Sequence, residues 1–227
     1  MFARTCFLGM FLLGSSLFFC GCLDPQAAID SIQFATCPAG AFQMGAAPGE
    51  AGSADLERPQ HTVTFAEPFQ IATCEITRNQ WKAIMGEDPP GGMPFGTWNR
   101  PATEVSWHEA QAFVARINEL RPGENYSLPT EAQWEYACRA GTTTRFYWGD
   151  DPGLTLMPAY AWVPANSGDS THDVGEKQPN AWGIYDMAGN VWEWVADPYH
   201  ADYTGAPTDG SAWEPGDEAV RGVRGAG

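Results

Sequence analysis

The sequence predicts an α+β domain of few, short helices packed on small antiparallel strands, and three observations carry that expectation. Short alternating stretches stand near the front of the chain. Three helix starts are announced by one repeated capping device. The second half is dense in Gly, Pro, Asn and Asp with no lasting periodicity. The 227 residues include 44% apolar side chains, 25 Gly, 18 Pro and 10 Trp, and only 18% are charged. That balance excludes global disorder and suits a loop-rich domain with an aromatic interior.

The first element stands apart from that domain. Arg4 is the only charge before Asp24, and residues 6–19 form a continuous apolar run of signal-peptide length. The run closes in Phe19-Cys20-Gly21-Cys22. This ending resembles the lipobox of bacterial lipoproteins, where cleavage after a small residue leaves a lipid-modified cysteine, here Cys22. Phe19 stands where leucine is usual. An uncleaved anchor is the alternative, because the run is just long enough to span a bilayer. We read 1–22 as a lipoprotein-type signal, 23–33 as a tether and 34–227 as the domain. Either reading puts the domain outside the cytoplasm, held to a membrane of the bacterial cell envelope.

Within the domain, strand-like alternation marks 41–44, 61–65 and 69–71, and the small, Gly-rich stretch 46–54 reads as an exposed loop. Residues 77–80 (T-R-N-Q), 106–109 (S-W-H-E) and 130–133 (T-E-A-Q) each place a hydroxyl three residues before Glu or Gln. This capping box satisfies backbone N–H groups that a helix start leaves orphaned. Behind Ser106, residues Ala110, Phe113, Val114 and Ile117 make one apolar stripe, which Arg121-Pro122-Gly123 ends. Behind Thr130 the stripe is Trp134 with Ala137 and Cys138, and Gly141 is placed for a left-handed cap. From 142 to 180 the chain lacks periodicity, which points to functional or ion-stapled loops.

Charge and cysteines narrow the partners. Twelve basic residues against 28 acidic ones leave −16, so phosphate backbones repel the chain and nucleic acid is excluded as a partner. Oxygen-ligated cations are the natural counterpart. Cys6 and Cys20 leave with the signal and Cys22 takes lipid. Cys37, Cys74 and Cys138 remain, an odd number in a compartment that permits disulfides. Cys37 and Cys74 either pair or sit in the core as small residues. No cysteine or histidine spacing matches a zinc site.

The motifs then become recognisable. Residues 37–45 read C-P-A-G-A-F-Q-M-G, 74–80 read C-E-I-T-R-N-Q, and 101–110 read P-A-T-E-V-S-W-H-E-A. Residues 128–141 read L-P-T-E-A-Q-W-E-Y-A-C-R-A-G, and 179–194 read P-N-A-W-G-I-Y-D-M-A-G-N-V-W-E-W. In this order they resemble the sulfatase-modifying-factor family, whose type member is the formylglycine-generating enzyme. The resemblance implies an irregular α+β fold related to C-type lectins and poor in secondary structure. It also implies an O₂-dependent oxidase that converts a sulfatase cysteine to formylglycine with copper held by two cysteines.

That copper pair would follow an R-V-x-R-G-G-x-W motif. Here residues 221–227 read R-G-V-R-G-A-G, and the given sequence stops where the tryptophan would come. Cys37, Cys74 and Cys138 do not match the copper positions, so no copper site and no oxidase activity are expected of this chain. In some members the cysteine matching Cys138 pairs with one near the C-terminus. The resemblance therefore implies a reactive thiol at Cys138 and marginal stability for residues 23–227.

Calcium is the expected cofactor. Asp186 and Glu193 flank a Gly189-Asn190 turn, so carboxylates and carbonyls converge as calcium requires. The resemblance implies ligands at Asp186, Gly189, Val191 and Glu193, the middle two through backbone carbonyls. A second calcium would draw on Asn166, Ser167 and Asp173. Without calcium, the two carboxylates simply cap a tight turn. Trp192 matches a tryptophan of the family's oxygen pocket; the alternative makes it and Trp194 core aromatics. His61, His108, His172 and His200 are scattered and form no motif. Glu131 and Glu135 read as a first-turn residue and a structural hydrogen-bond acceptor, not a catalytic pair.

Two functions follow. One is a membrane-tethered formylglycine-generating-enzyme-like protein that acts on a sulfatase or another exported protein. The other is a non-catalytic, calcium-stabilised, lectin-like binding module on a lipoprotein.

Overall fold

The computed structural model describes residues 23–225. Caps and turns divide them into α1 (Pro25–Asp30), β1 (Phe34–Cys37), β2 (Gly40–Met44), β3 (His61–Phe65), β4 (Phe69–Ala72), α2 (Arg78–Met85) and α3 (Trp107–Leu120). Then come α4 (Glu131–Arg139), α5 (Met157–Tyr160), α6 (Pro164–Ser167), β5 (Glu193–Tyr199) and β6 (Asp217–Arg224). The signal and the Cys22 lipidation site lie outside the described residues.

All three capping boxes form. Thr77, Ser106 and Thr130 accept from the N–H groups of Gln80, Glu109 and Gln133 at 3.2, 3.3 and 3.1 Å. The Gln80, Glu109 and Gln133 side chains accept in return from the cap N–H groups at 2.8–2.9 Å. Helix α3 stops at Arg121, before Pro122. At the end of α4 the left-handed cap is Ala140 (φ 45°), with Gly141 (φ 88°) following it, one residue earlier than the sequence placed it.

The strands pair as three separate two-stranded antiparallel sheets, β1 with β4, β2 with β3, and β5 with β6. The β2–β3 hairpin is nested between the strands of the β1–β4 pair. Its register sets Phe42 opposite Val63, and Phe65 stacks on Tyr136 of α4 at 4.8 Å. From 142 to 180 the stapling is done by short polar side chains. Asp151 accepts from the N–H groups of Thr155, Leu156 and Met157. Asn180 accepts from Trp182 and Ile184 while donating to the carbonyls of Ala137 and Cys138.

Two apolar cores result. The first gathers Cys37, Val63, Trp134, Ile184, Met187 and Val195 from the sheets, α4 and the late loops. The second joins α1, α2 and α3 through Ile29, Trp81, Ile84, Phe113 and Ile117, with Trp81 and Phe113 stacked at 5.1 Å.

The second core corrects the reading of residues 23–33 as a tether. Asp24 caps α1, Pro25 opens it, and Ala28, Ile29 and Ile32 are buried. Gln26 and Arg121 tie α1 to the end of α3, and Gln80 of α2 donates to Ser31 at 3.0 Å. Two buried residues on so short a helix, with Ile32 just beyond it, make no stripe that a sequence pattern can show. A tether residue would tolerate truncation, whereas Ile29→Ala is expected to cost about 2–4 kcal/mol. Urea unfolding of the purified chain measures this, and an unchanged midpoint would return the segment to a tether.

A candidate site of buried carboxylates beside a groove

Between the two cores lies a groove of about 790 Å³, lined among others by Phe34, Ile71, Glu75, Phe113, Trp192 and Glu193. The bond from Tyr185 N to the Thr73 carbonyl, 2.9 Å, brings the Asp186–Glu193 turn against the end of β4. Glu75 lies three residues beyond that strand; it and Glu193 line the groove, and the buried Asp186 is close enough to both for their charges to act on one another.

Asp186 is 1% exposed and left-handed (φ 60°). Its Oδ2 accepts from Gly175 N at 2.6 Å, while its Oδ1 has no hydrogen-bond partner. Both carboxyl oxygens of Glu75 are also buried and unpartnered. Ionised carboxylates only accept, so Glu75 and Asp186 pair with each other only when one of them holds a proton.

Burial pushes Glu75 well above the usual carboxylate range, with the charges of Asp186 and Glu193 adding to it. Burial also raises Asp186. Glu193 is pushed up to about 7 by burial and by Asp186, against a pull from the nearby Trp134 indole. That indole N–H closes no hydrogen bond.

The turn itself is clamped. Asn190 N donates to the Trp162 carbonyl at 2.8 Å, and the Asn190 side chain exchanges two hydrogen bonds with the His172 backbone. A Cβ at Gly189 would sit 2.2 Å from the Trp162 carbonyl oxygen, so only glycine passes there. The Gly189 carbonyl accepts from Val191 N at 2.9 Å. Trp192 is 57% exposed at the groove rim, which corrects the reading of both motif tryptophans as core aromatics. Trp194 turns inward and donates to the Val105 carbonyl at 2.8 Å.

At the second expected calcium position, Asn166 accepts from Val163 N and donates to the Ala161 carbonyl. The Ser167 carbonyl meets the His172 ring at 2.8 Å, and Asp173 is half-buried nearby in sequence. Among the described residues no three His, Cys, Asp or Glu side chains form a metal-holding group. A cation in the Asp186–Glu193 turn would therefore need its backbone carbonyls. The orphaned Asp186 Oδ1 and the hard oxygen donors fit such a calcium.

Glu131 and Glu135 form a structural ion network. Arg224 reaches Glu135 at 2.6 Å and Glu131 at 3.3 Å, and Arg139 reaches Glu135 at 2.9 Å. Burial would raise Glu135, but Arg224, Arg139 and the Gly45 N–H hold it below the usual range. Sequence reasoning missed Arg224 and Glu75. Only the E-I-T stretch ahead of a helix start hinted at the latter.

Cys37, Cys74 and Cys138 are free thiols. Burial pushes each up to about 12, so none is a thiolate at neutral pH. This corrects the expectation of a reactive Cys138. Its Sγ packs 3.9 Å from the Met187 carbonyl, in surroundings where charge is disfavoured.

The family model described as the sulfatase-modifying factor enzyme 1-like domain matches residues 23–227. The formylglycine-generating enzyme of Streptomyces coelicolor is 29% identical, over 83% of this chain and 76% of that protein. Chaperone protein LppX of Paenibacillus barcinonensis is 28% identical, over 66% and 71%. The solved structure of PvdO from Pseudomonas aeruginosa superposes with a TM-score of 0.76 at 34% identity, over 85% of this chain and 81% of that one. That likeness agrees with the α+β, lectin-like fold expected from the sequence.

Two outcomes follow from the geometry. Glu193 binds its proton more tightly folded than unfolded, so its contribution to the stability of the metal-free domain is fully present below about pH 4.5 and is lost as the pH rises through about 7. Melting in EGTA should fall by several degrees across that window, calcium should flatten the slope, and Asp186→Asn should abolish the calcium response. A flat EGTA profile would contradict the buried-acid geometry. In native alkylation followed by peptide mass mapping, all three thiols should stay unlabelled until the domain is denatured.

Proposed function

The chain belongs to the sulfatase-modifying-factor family, and from that premise we propose that it is a binding module at the bacterial envelope. In this reading it is held to a membrane through Cys22 and stabilised by calcium at Asp186, Gly189, Val191 and Glu193. The observation that carries the reading is the mainly apolar groove; the three cysteines among the described residues are free thiols that do not match the family's copper positions. Copper in this family would supply oxygen activation through paired thiolates. The described residues provide no such pair, so no oxidative step is assigned to them.

The groove supplies the alternative activity. Its walls are mainly apolar, its charged lining residues are Glu75, Glu124 and Glu193, and no Lys or Arg lines it. Such a surface suits an extended apolar segment of an exported protein, a sulfatase among the candidates. The similarity to a protein named a chaperone supports that direction. One observation favours the oxidase reading: Trp192 stands exposed on the groove rim, where the family's oxygen-pocket tryptophan is expected.

The full chain, incubated with an unfolded exported sulfatase, copper and oxygen, separates the two. The expected result is slower sulfatase aggregation with no formylglycine by peptide mass. Copper-dependent formylglycine would overturn the reading, as would aggregation unaffected by the chain.

A further inference from the structure

The most exposed large apolar side chain among the described residues has no part in the groove. Phe95 is 93% exposed, and Trp98, 45% exposed, meets it edge-on at 5.7 Å. They sit at the tip of a loop in which no residue between Asp88 and Arg100 is charged, in a chain whose net charge is −16. Met93 and Pro94 extend the same apolar tip.

The loop is a built feature. Thr97 N and Oγ1 both donate to the Pro94 carbonyl, at 3.1 and 2.7 Å, closing a turn around Phe95. Its base is fastened to the start of α2. Asn79 N donates to the Trp98 carbonyl, Arg78 N to the Arg100 carbonyl, and the Arg78 guanidinium to Thr97 Oγ1 at 2.8 Å. Of the flanking charges, Asp88 is paired with Lys82 at 2.7 Å. The fold thus holds an aromatic pair out into solvent on a loop that carries no charge of its own and is fastened at its base by Arg78 and Asn79.

The position of the N-terminus says what covers that tip. Because α1 is docked on α2 and α3, only Leu23 and Asp24 separate Cys22 from the folded helix. Three residue steps reach at most about 10 Å, and α2 itself is only about 12 Å long. A lipid on Cys22 would therefore hold this core near the bilayer surface; the attachment end of α1 meets the end of α3 through Gln26 and Arg121, and its other end meets the start of α2, where the aromatic loop is fastened, through Ser31 and Gln80.

We infer that the 89–99 loop is a membrane-contact element that seats Phe95 and Trp98 in the lipid interface and fixes the domain's orientation there. The inference rests on the anchored reading of Cys22 given above. Tryptophan and phenylalanine favour that interface, where a ring is buried and a polar edge stays wet. The absence of charge along the loop means that entering the headgroup layer strips water from no ion. The rest of the acidic surface is repelled by anionic headgroups, which directs the neutral loop toward them.

The test uses the full chain in a bacterial host that processes lipoproteins, with p-benzoyl-phenylalanine in place of Phe95 or, separately, of Leu156. Leu156 is also exposed (50%) and lies just before α5 in the late loops. Cells are fed an alkyne-tagged fatty acid and irradiated, and adducts are read by mass. Lipid adducts at 95 are expected at least tenfold above those at 156. Acylated Cys22 with no lipid adduct at 95, or with protein adducts only, would overturn the loop's role while leaving the anchor standing. A chain with unmodified Cys22 in the soluble fraction would overturn the anchor, and the loop's role with it.

Discussion

The ion pair between Glu135 of α4 and Arg224 of β6 holds together more of the molecule than any other contact. Glu135 is buried and Arg224 half-buried, and a buried charge without its partner is strongly destabilising. Glu135 also accepts from Gly45 N, and Arg139 donates to the Gly45 carbonyl, so one carboxylate fixes the end of β2, the length of α4 and the last strand. With α4 set, Trp134, Tyr136 and Ala137 enter the first core, and the Ala137 and Cys138 carbonyls are presented to Asn180. Asn180 then shapes the turn that leads to Ile184 and Asp186. The acids beside the groove stand where they do because α4 was fixed first.

Those acids are an electrostatic problem left open by the protein itself. Glu75 and Asp186 face each other without a donor, and no basic residue lines the groove beside them. Lys177 pulls weakly on Asp186, while its ammonium lies over the Trp162 ring at 3.5 Å. The ion network around Glu135 shows how the same chain treats acids it needs for structure, by giving each a guanidinium. The contrast separates the two groups by role. One is self-contained, and the other is complete only with a proton or a cation from outside.

Much of this was legible in the sequence where local chemistry decides the outcome. The three capping boxes gave three helix starts, because hydroxyl and carboxamide spacing acts within a single turn. The β2–β3 hairpin and β4 showed in their alternation. β1 did not, since Phe34 faces outward and Ala35 inward, reversing the expected sense of the pattern. α1 hid behind its shortness. The carboxylate turn was found from its motif, but its third acid was not, because Glu75 joins it only through the Thr73–Tyr185 bond across more than a hundred residues. The half-buried setting of Cys138 was likewise invisible, since thiol reactivity depends on surroundings that only tertiary structure supplies.

The order in which the chain visits its two cores has a consequence for how the domain can be divided. Residues 28–32 belong to the second core, 35–71 to the first, 72–126 to the second again, and 132–213 to the first. Neither core is a continuous stretch of chain, so no single cut yields one without fragments of the other. They touch across the groove and through bonds such as Trp107 Nε1 to the Val195 carbonyl and Val174 N to the Asn99 carbonyl, which weave them into one unit. A deletion made to simplify either lobe removes a strand or helix on which its neighbour is threaded.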